Sequence, residues 1–496
     1  MKWAFCVSVD NWLFFFGFIK SIVISFISNF APEFLNNIKL YIQLNNKMAE
    51  IIRLRKGLDI KLLGAPVKEL TEVGLAESYA LCPDDFTGVT PKPVVKEQQT
   101  VKAGEALFID KNHPEVKFVS PVSGEVVAVN RGARRKVMSI VVKPDAKQTY
   151  VEFGTKSVQS LSGEEVKATL LESGLFSFFR QRPYDVIANP ADAPRGIFVS
   201  AFDSKPLAPD FEFVLQGNEL DFRTGLSAIA KIAPTTLSIS ADQKAETLTD
   251  AKNVDLYAFK GAHPAGNVGV QINHIKPVNK GEVVWTIDPE AVIFIGRLFN
   301  KGVVDMSRVI AVAGEEIVNP QYLKVIAGAK ISSIVDGRLN KTEHIRIING
   351  NVLTGVKCTK DDYLGAFANM VTVIPEGDDV NEFMGWIAPR FKQYSVSRTF
   401  FSWLCCKKPY SIDARIKGGE RHMIMSNEYD KVFPMDIYPE YLIKAIITGN
   451  IDKMEAYGIY EVAPEDFALC EFVDSSKLEL QRIVREGLNN LRAEMA

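Results

Sequence analysis

The chain has 496 residues, 47% of them apolar and 24% charged, with a formal net charge of −2. That is ordinary globular composition, enough for several cores and, by length, roughly three domains. The near-neutral balance excludes bulk attraction to nucleic acid, and six cysteines in so long a chain exclude a disulfide framework. None stands in a C-x-x-C pair, which removes zinc-ribbon and thioredoxin-type readings. Cys405 and Cys406 are adjacent and too close to chelate as an ordinary pair; the cysteines read as incidental thiols of a reduced, cytosolic chain.

Residues 1–47 differ from the rest. Phe, Ile, Asn and Lys supply 24 of the 47 and Ala only two. NWLFFFGFIKSIVISFISNF is marginal as a membrane anchor, because Lys20, Asn29 and several serines interrupt a run that needs about 20 mostly apolar residues. As a cleaved signal it lacks a basic start and a clear small-residue cleavage site. The favoured reading is a non-native extension ahead of Met48, set aside from fold reasoning.

Residues 48–150 hold short β runs punctuated by Gly and Pro: VKAGEALFID, VKFVSPVSGEVVAV and KVMSIVVKP. SPVSGEVVAV reads as a strand, a tight Ser-Gly turn and a return strand, as in a barrel-sandwich (biotinyl/lipoyl-like) fold. Asp110-Lys111 lies ahead of it, as the modified lysine does in lipoyl domains. The intervening NHPEVKFV is too long, however, and Lys111 reads as a solvated hairpin residue.

From 151 to 305, helical stretches (GEEVKATLLESGLFSFF, NELDFRTGLSAIAKIA) alternate with apolar runs (GIFVSAF, TTLSIS, VDLYAFK), which predicts a Rossmann-like α/β domain. The loop FKGAHPAGNVGVQINH follows its last clear strand, where such sheets bind ligands. Residues 306–380 turn β-rich again. SRVIAVAGEEIVNPQYLKVIAGAKISSIV reads strand, Gly turn, strand, Pro-bounded link, strand and short helix, the order of a β-grasp module. Residues 381–496 are mainly helical: Ser476 and Glu479 predict a capping box, and Leu480, Val484, Leu488 and Leu491 trace one core-facing stripe.

Taken in order, IRLRKGLDIKLLGAP, SPVSGEVVAVNRGARR, GAHPAGNVG, RVIAVAGEEIVNP and ALCEFV resemble the A subunits of sodium-translocating NADH:quinone oxidoreductases, from about Ile51 to the C-terminus. More distantly they resemble the NADH-binding flavoprotein subunit of complex I and the C subunits of Rnf complexes. The resemblance implies barrel-sandwich, Rossmann-like, SLBB (β-grasp) and helical domains in series. It also implies a peripheral subunit of a six-subunit, Na+-exporting respiratory complex, on the cytoplasmic face of a bacterial inner membrane. Its partners would be the membrane and soluble subunits of that complex and its substrate ligand a quinone, with no nucleic acid. NADH, FAD, FMN and Fe–S clusters would be carried by other subunits.

The chain lacks residues for such groups of its own. Iron–sulfur ligation takes about four thiolates, and ALCEFVDSSK offers Cys470 alone, while no S-G-A-T-type flavin attachment site is present. Gly261, Gly266 and Gly269 are spaced G-x4-G-x2-G rather than G-x-G-x-x-G, no Lys-Ser/Thr follows, and Pro264 removes a backbone donor. The loop therefore reads as a structural turn and His263 as a hydrogen-bonded loop residue. Two other readings remain: an autonomous nucleotide- or flavin-dependent oxidoreductase, and a scaffold without ligand.

The candidate quinone site is ESGLFSFFRQRPYD. Phe176, Phe178, Phe179 and Tyr184 would supply aromatic faces, and Arg180 and Arg182 would donate to the two carbonyl oxygens. Gly261, His263 and Gly266 are a possible opposite wall. The competing reading of the segment is a buried aromatic helix end with solvated arginines.

Overall fold

The computed structural model describes residues 50–495 except 383, 392, 406 and 407, so the expected extension 1–47 and start at Met48 lie outside the described residues. Four sheets carry the fold. The largest has the strand order Glu50–Arg53, Asp255–Lys260, Thr235–Ser240, Ile197–Ser200, Val284–Thr286, Arg180–Arg182, Val186–Ile187. Its centre is parallel: Thr235–Ser240 pairs in parallel with Asp255–Lys260 and with Ile197–Ser200, which pairs likewise with Val284–Thr286. Arg180–Arg182 adds antiparallel at the far side. This is the α/β alternation expected of the region, since parallel strands need helical crossovers.

The helices Glu219–Ile232 and Pro289–Lys301 pack closely because glycines meet backbone at their crossing. A Cβ on Gly225 would lie 2.0 Å from the Val292 carbonyl oxygen, and one on Gly296 would lie 1.7 Å from that of Asp221. The helix Gly163–Ser173 opens with a complete capping box, in which the Ser162 hydroxyl accepts from the Glu165 N–H and the Glu165 carboxylate from the Ser162 N–H.

That helix ends earlier than its apolar pattern suggests. Gly174 caps it at φ 77°, Leu175–Phe178 form a 3-10 turn, and Arg180–Arg182 is a strand, so LFSFF is not helical. A Cβ at Gly174 would sit 2.5 Å from Val119 Cγ1, which reserves the position for glycine twice over.

Two smaller sheets make up the first β region. Their orders are Tyr79–Leu81, Val137–Pro144, Gly124–Arg131, Thr100–Val101 and Pro91–Pro93, Ala106–Asp110, Lys117–Val119. Phe108 stacks on Phe118 with centroids 4.4 Å apart, and Phe86 meets Phe118 edge-on at 4.6 Å. Here SPVSG is not a hairpin turn, because Lys117–Val119 and Gly124–Arg131 belong to different sheets. Gly124 is needed for strand approach instead: a Cβ would lie 1.9 Å from the Lys143 carbonyl oxygen. Lys111 is exposed, while Asp110 is buried and accepts from the Thr90 and Asn112 N–H groups.

The fourth sheet runs Val356–Cys358, Ile345–Asn349, Met370–Pro375, Ser307–Ala313, Gln321–Ile326, Val67–Glu72. Its core is Ile310, Leu323, Ile331, Ile334 and Val373. Two expectations change. EEIVN is a turn rather than a strand, and the sheet takes Val67–Glu72 from the span assigned to the first β domain, just as the α/β sheet takes Glu50–Arg53. Val67–Glu72 is exposed along its length, so it carries no buried alternation to betray it.

The last hundred residues carry the helices Pro439–Ile447, Ile451–Ala456, Ala468–Val473 and Leu480–Met495. The stripe Leu480, Val484, Leu488 and Leu491 is fully buried, as its spacing predicts. The capping box does not form. Ser476 Oγ is buried without a partner, and the first-turn N–H of Gln481 is taken by the Glu471 carboxylate at 2.9 Å, while Glu479 pairs with Arg482. The helix begins at Leu480, so Ser476 lies too far ahead of its first turn to cap it, and a carboxylate from the preceding helix serves there. Among the described residues no helix is long and apolar enough to cross a membrane.

Gly296→Ala tests the helix crossing. Helix propensity alone favours Ala by ~1 kcal/mol, but the backbone contact costs about 1–3 kcal/mol and wins. Urea unfolding at constant m should show a lower midpoint; an unchanged or raised midpoint would mean that the helices separate freely.

Candidate functional site

The expected aromatic slot is filled by the protein itself. Phe176 and Phe179 are fully buried and pack against each other and against Trp285, with centroids 5.4–5.7 Å apart. Phe178 lies on the other side of the segment, against Phe294 and Phe367. In the 3-10 turn, with about three residues per turn, Phe176 and Phe179 fall on one side and Phe178 on another, so the three do not line one slot.

The arginines are paired rather than solvated. Arg180 donates to Asp288 at 2.9 Å and lies over the Phe367 ring. Arg182 is 1% exposed and donates to Asp466 at 3.0 Å and Glu465 at 3.2 Å, with Asp466 itself at 0%. Burial works against the Arg182 charge, but Asp466, Asp185 and Glu465 outweigh it and hold the guanidinium pKa above its usual value.

The same carboxylates meet the glycine loop. The loop joins the strand Asp255–Lys260 to the helix Val268–Ile275, as its sequence predicts. A Cβ on Gly269 would fall 2.4 Å from Asp466 Oδ2 and 2.6 Å from Arg182 Nη1; on Gly266, 2.6 Å from the Ser204 nitrogen; on Gly261, 2.8 Å from Leu54 Cβ. Each glycine thus faces protein atoms. Asp466 stands at the first turn of the helix, where the backbone dipole favours negative charge.

Gly261, His263 and Gly266 face Leu54, Asp59 and Ser204. His263 is buried; its N–H donates to Asp59 at 2.9 Å, and its Nδ1 is 3.0 Å from the Ser204 hydroxyl, which also accepts from the Gly266 N–H. Burial, and next Lys205, depress the His263 pKa to about 4 against the opposing pull of Asp203, so the ring is neutral at pH 7 and accepts the Ser204 proton. What does come together is a charge network. Lys205 bridges Asp203 at 3.5 Å and Glu465 at 4.0 Å, linking the loop to Arg182.

Tyr184 leads to open space. It and Asp185 have φ of 80° and 50°, a costly pair of left-handed residues. Arg485 holds them by donating to both carbonyl oxygens, at 2.8 and 3.1 Å, and to the Asp185 carboxylate. The bend places Tyr184 on a cavity of about 150 Å³ shared with His113, Arg492 and the apolar Val89, Val186 and Ile187. Arg492 has no ion pair among the described residues; its one hydrogen bond is a long 3.5 Å contact to the Gly88 carbonyl. Burial raises the Tyr184 phenol pKa, with Arg492 opposing, so it stands as a donor at neutral pH.

Of the sequence candidates, Tyr184 lines this cavity, and Phe178 lines a separate apolar one with Phe86, Phe118 and Leu364. His113, Arg492, Asp466 and Lys205 gave no signal, because the contacts that bring them to the site (Asp466 to Arg182, Lys205 to Glu465, Arg492 and His113 to the Tyr184 cavity) join residues far apart in the chain. Cys470 is fully buried, with its thiol pKa held well above the ordinary value by burial, and lies in the helical core.

Two outcomes follow. Arg182→Met should cost about 3–5 kcal/mol by stranding Asp466 and Glu465, and adding Asp466→Asn should recover part of it. Additive losses in denaturant unfolding would show that the pair is not coupled. For His263, the unfolded state binds a proton between pH 6.5 and about 4 and the native state does not. Stability therefore falls as pH drops through that window, by up to ~3 kcal/mol. The melting temperature of His263→Gln should fall less than that of the parent between pH 7 and pH 4.5; parallel curves would assign the loss elsewhere.

Comparisons with known proteins match this architecture region by region. Residues 52–145 match the family model described as the NqrA N-terminal barrel-sandwich hybrid domain, 161–304 the NqrA second alpha/beta domain, and 309–360 the NQRA C-terminal domain, of SLBB type. The chain is 37% identical over 451 residues to the A subunit of the Na(+)-translocating NADH-quinone reductase of Haemophilus influenzae (strain PittGG), covering 90% of this chain and 100% of the relative. The protein of the same name from Neisseria meningitidis serogroup A is 35% identical over 448 residues, with the same coverage of both chains. A solved chain of an NAD+-reducing [NiFe]-hydrogenase aligns over 70% of this chain and 67% of its own length at 14% identity and a TM-score of 0.36, which carries no argument. The barrel-sandwich and SLBB expectations hold, and three matched domains in order with full-length relatives above one-third identity place the chain in the A-subunit family of the Na(+)-translocating NADH-quinone reductases.

Proposed function

We propose that this chain acts as the A subunit of a six-subunit, Na+-pumping NADH:quinone reductase at the cytoplasmic face of the membrane, assembled with that complex's membrane and soluble subunits. In this role it offers the quinone a binding place and carries no flavin or Fe–S cluster of its own. The parallel sheet is taken as Rossmann-like and the region from 381 as a mainly helical domain.

The observation that carries the quinone assignment is the cavity at Tyr184. A quinone ring needs an apolar slot with hydrogen-bond donors at its two carbonyl oxygens. Val89, Val186 and Ile187 supply the first, and the Tyr184 hydroxyl and the Arg492 guanidinium supply the second. Arg492 stays protonated, so it also stabilises negative charge that develops on the ring oxygens during reduction. Phe176 and Phe179 serve as the packed support of this segment rather than as its binding surface.

The glycine loop does not fit a nucleotide phosphate. The positions that a phosphate cradle keeps open are met by Ser204, Leu54 and Asp466, and the last puts a carboxylate where the phosphate charge would go. This favours the cofactor-free reading over an autonomous flavin or nucleotide enzyme. One equivalent of flavin absorbance or of iron in the purified chain would reverse that preference.

Calorimetric titration with a short-chain quinone tests the site. Tyr184→Phe should weaken binding by about tenfold, the worth of one hydrogen bond, and Arg492→Ala by more, with melting temperatures unchanged. Phe179→Ala should lower the melting temperature first, since it opens the core by about 3–5 kcal/mol. Parent-like affinity in both Tyr184→Phe and Arg492→Ala would leave the scaffold reading standing.

A further inference from the structure

The segment 383–412 carries five cations, Arg390, Lys392, Arg398, Lys407 and Lys408, and not one Asp or Glu. In a chain with 60 acidic residues and a net charge of −2, thirty residues without an acid are a local departure. The segment is also aromatic, with Trp386, Phe391, Phe400, Phe401 and Trp403.

The fold turns much of this outward. Ile387, Phe391, Phe401, Trp403 and Leu404 are 42–64% exposed. They form one surface. The Phe401 N–H donates to the Pro389 carbonyl at 3.0 Å, and the Phe391 and Phe401 rings lie 5.9 Å apart. Guanidinium groups lie over aromatic faces: Arg390 over Phe400 at 5.5 Å and Arg398 over Trp403 at 5.9 Å. Arg390 is neutralised by Glu382, but Arg398 has no ion pair among the described residues, and Lys408 is exposed. Behind this surface the segment is anchored, since Tyr394 packs on Tyr410 and Phe472, and the Tyr410 N–H donates to the Lys61 carbonyl.

We propose that this surface rests on an anionic lipid bilayer, with Phe401, Trp403 and Leu404 set into the headgroup–acyl boundary and Arg398 and Lys408 on lipid phosphates. Aromatic rings belong at that boundary because they are apolar in body and polar at the edge. Basic side chains lay their stems along the apolar layer and reach back to the headgroups, as the Arg398–Trp403 stack is already arranged to do. Beyond the Arg390–Glu382 pair, its cations without an ion pair among the described residues, Arg398 and Lys408, are complementary to a uniformly negative plane.

Hydrogen–deuterium exchange of the full-length chain, with and without vesicles, tests this. Residues 1–47 hold an apolar run that could bind lipid independently, so the readout is exchange in peptides spanning 396–405 rather than binding of the whole chain. Phosphatidylglycerol-rich vesicles should protect those peptides, pure phosphatidylcholine vesicles should not, and high salt should remove the protection. Arg398→Glu should reduce the apparent affinity for that protection roughly 30-fold, by removing one favourable charge and adding an unfavourable one. Phe401→Ser with Trp403→Ser should abolish it while leaving exchange at Leu480–Met495 as in the parent. Unprotected 396–405 peptides on phosphatidylglycerol vesicles overturn the proposal, whether or not the chain is bound. So does protection that appears only when other membrane proteins are present, which would assign the surface to a protein partner.

Discussion

The buried pairing of Arg182 with Asp466 and Glu465 joins parts of the molecule that share no sheet. Arg182 comes from the antiparallel strand Arg180–Arg182 of the α/β sheet, and the two carboxylates come from the helical region. A guanidinium at 1% exposure cannot stand alone; its desolvation costs several kcal/mol unless carboxylates meet it with good geometry. The pair does not need to be strongly stabilising to matter. Any arrangement that separates the two regions leaves buried charge unpaired, and that penalty selects one docking among many.

The same contact decides the character of the glycine loop. A strand, a glycine-rich turn and a helix start usually present free N–H groups and a positive dipole end to a ligand. Here Asp466 lies against Gly269, where any side chain would collide with it, and Glu465 carries the network on to Lys205 and the loop around His263. The negative charge that such a loop attracts is supplied from within the chain. Open space lies instead beside Tyr184, where a left-handed bend pinned by Arg485 turns the chain from core into cavity wall.

Local chemistry made some of this readable in advance. The helix Glu219–Ile232, the stripe Leu480–Leu491 and the strand before the glycine loop follow from periodicity and turn residues within about fifteen positions of one another. Errors occurred where a distant partner outbid a local one. The last helix starts at Leu480 rather than after Ser476, and Glu471 caps its first turn; Lys143 explains Gly124 better than a turn does; and Gln321–Ile326 recruits Val67–Glu72 from another region. The aromatic–arginine segment was recognised as unusual, but its composition suits a ligand slot and a buried core equally well. Only the direction of each ring, set by the end of the helix at Gly174, separates the two.

The sequence by itself determined the family, the order of the domains and the lack of a cysteine set for a cluster, because ordered motifs and residue counts do not depend on folding. It also supplied the donor groups themselves, since a guanidinium or a phenol has its donors wherever it lies. The tertiary structure alone decided what those groups face: Arg182 turned inward to carboxylates from the far end of the chain, Arg492 beside Tyr184 without an ion pair among the described residues, and His263 neutral under burial. The physical reason is that charge state and availability depend on desolvation and on partners brought close by packing, and neither is a property of any short stretch of chain.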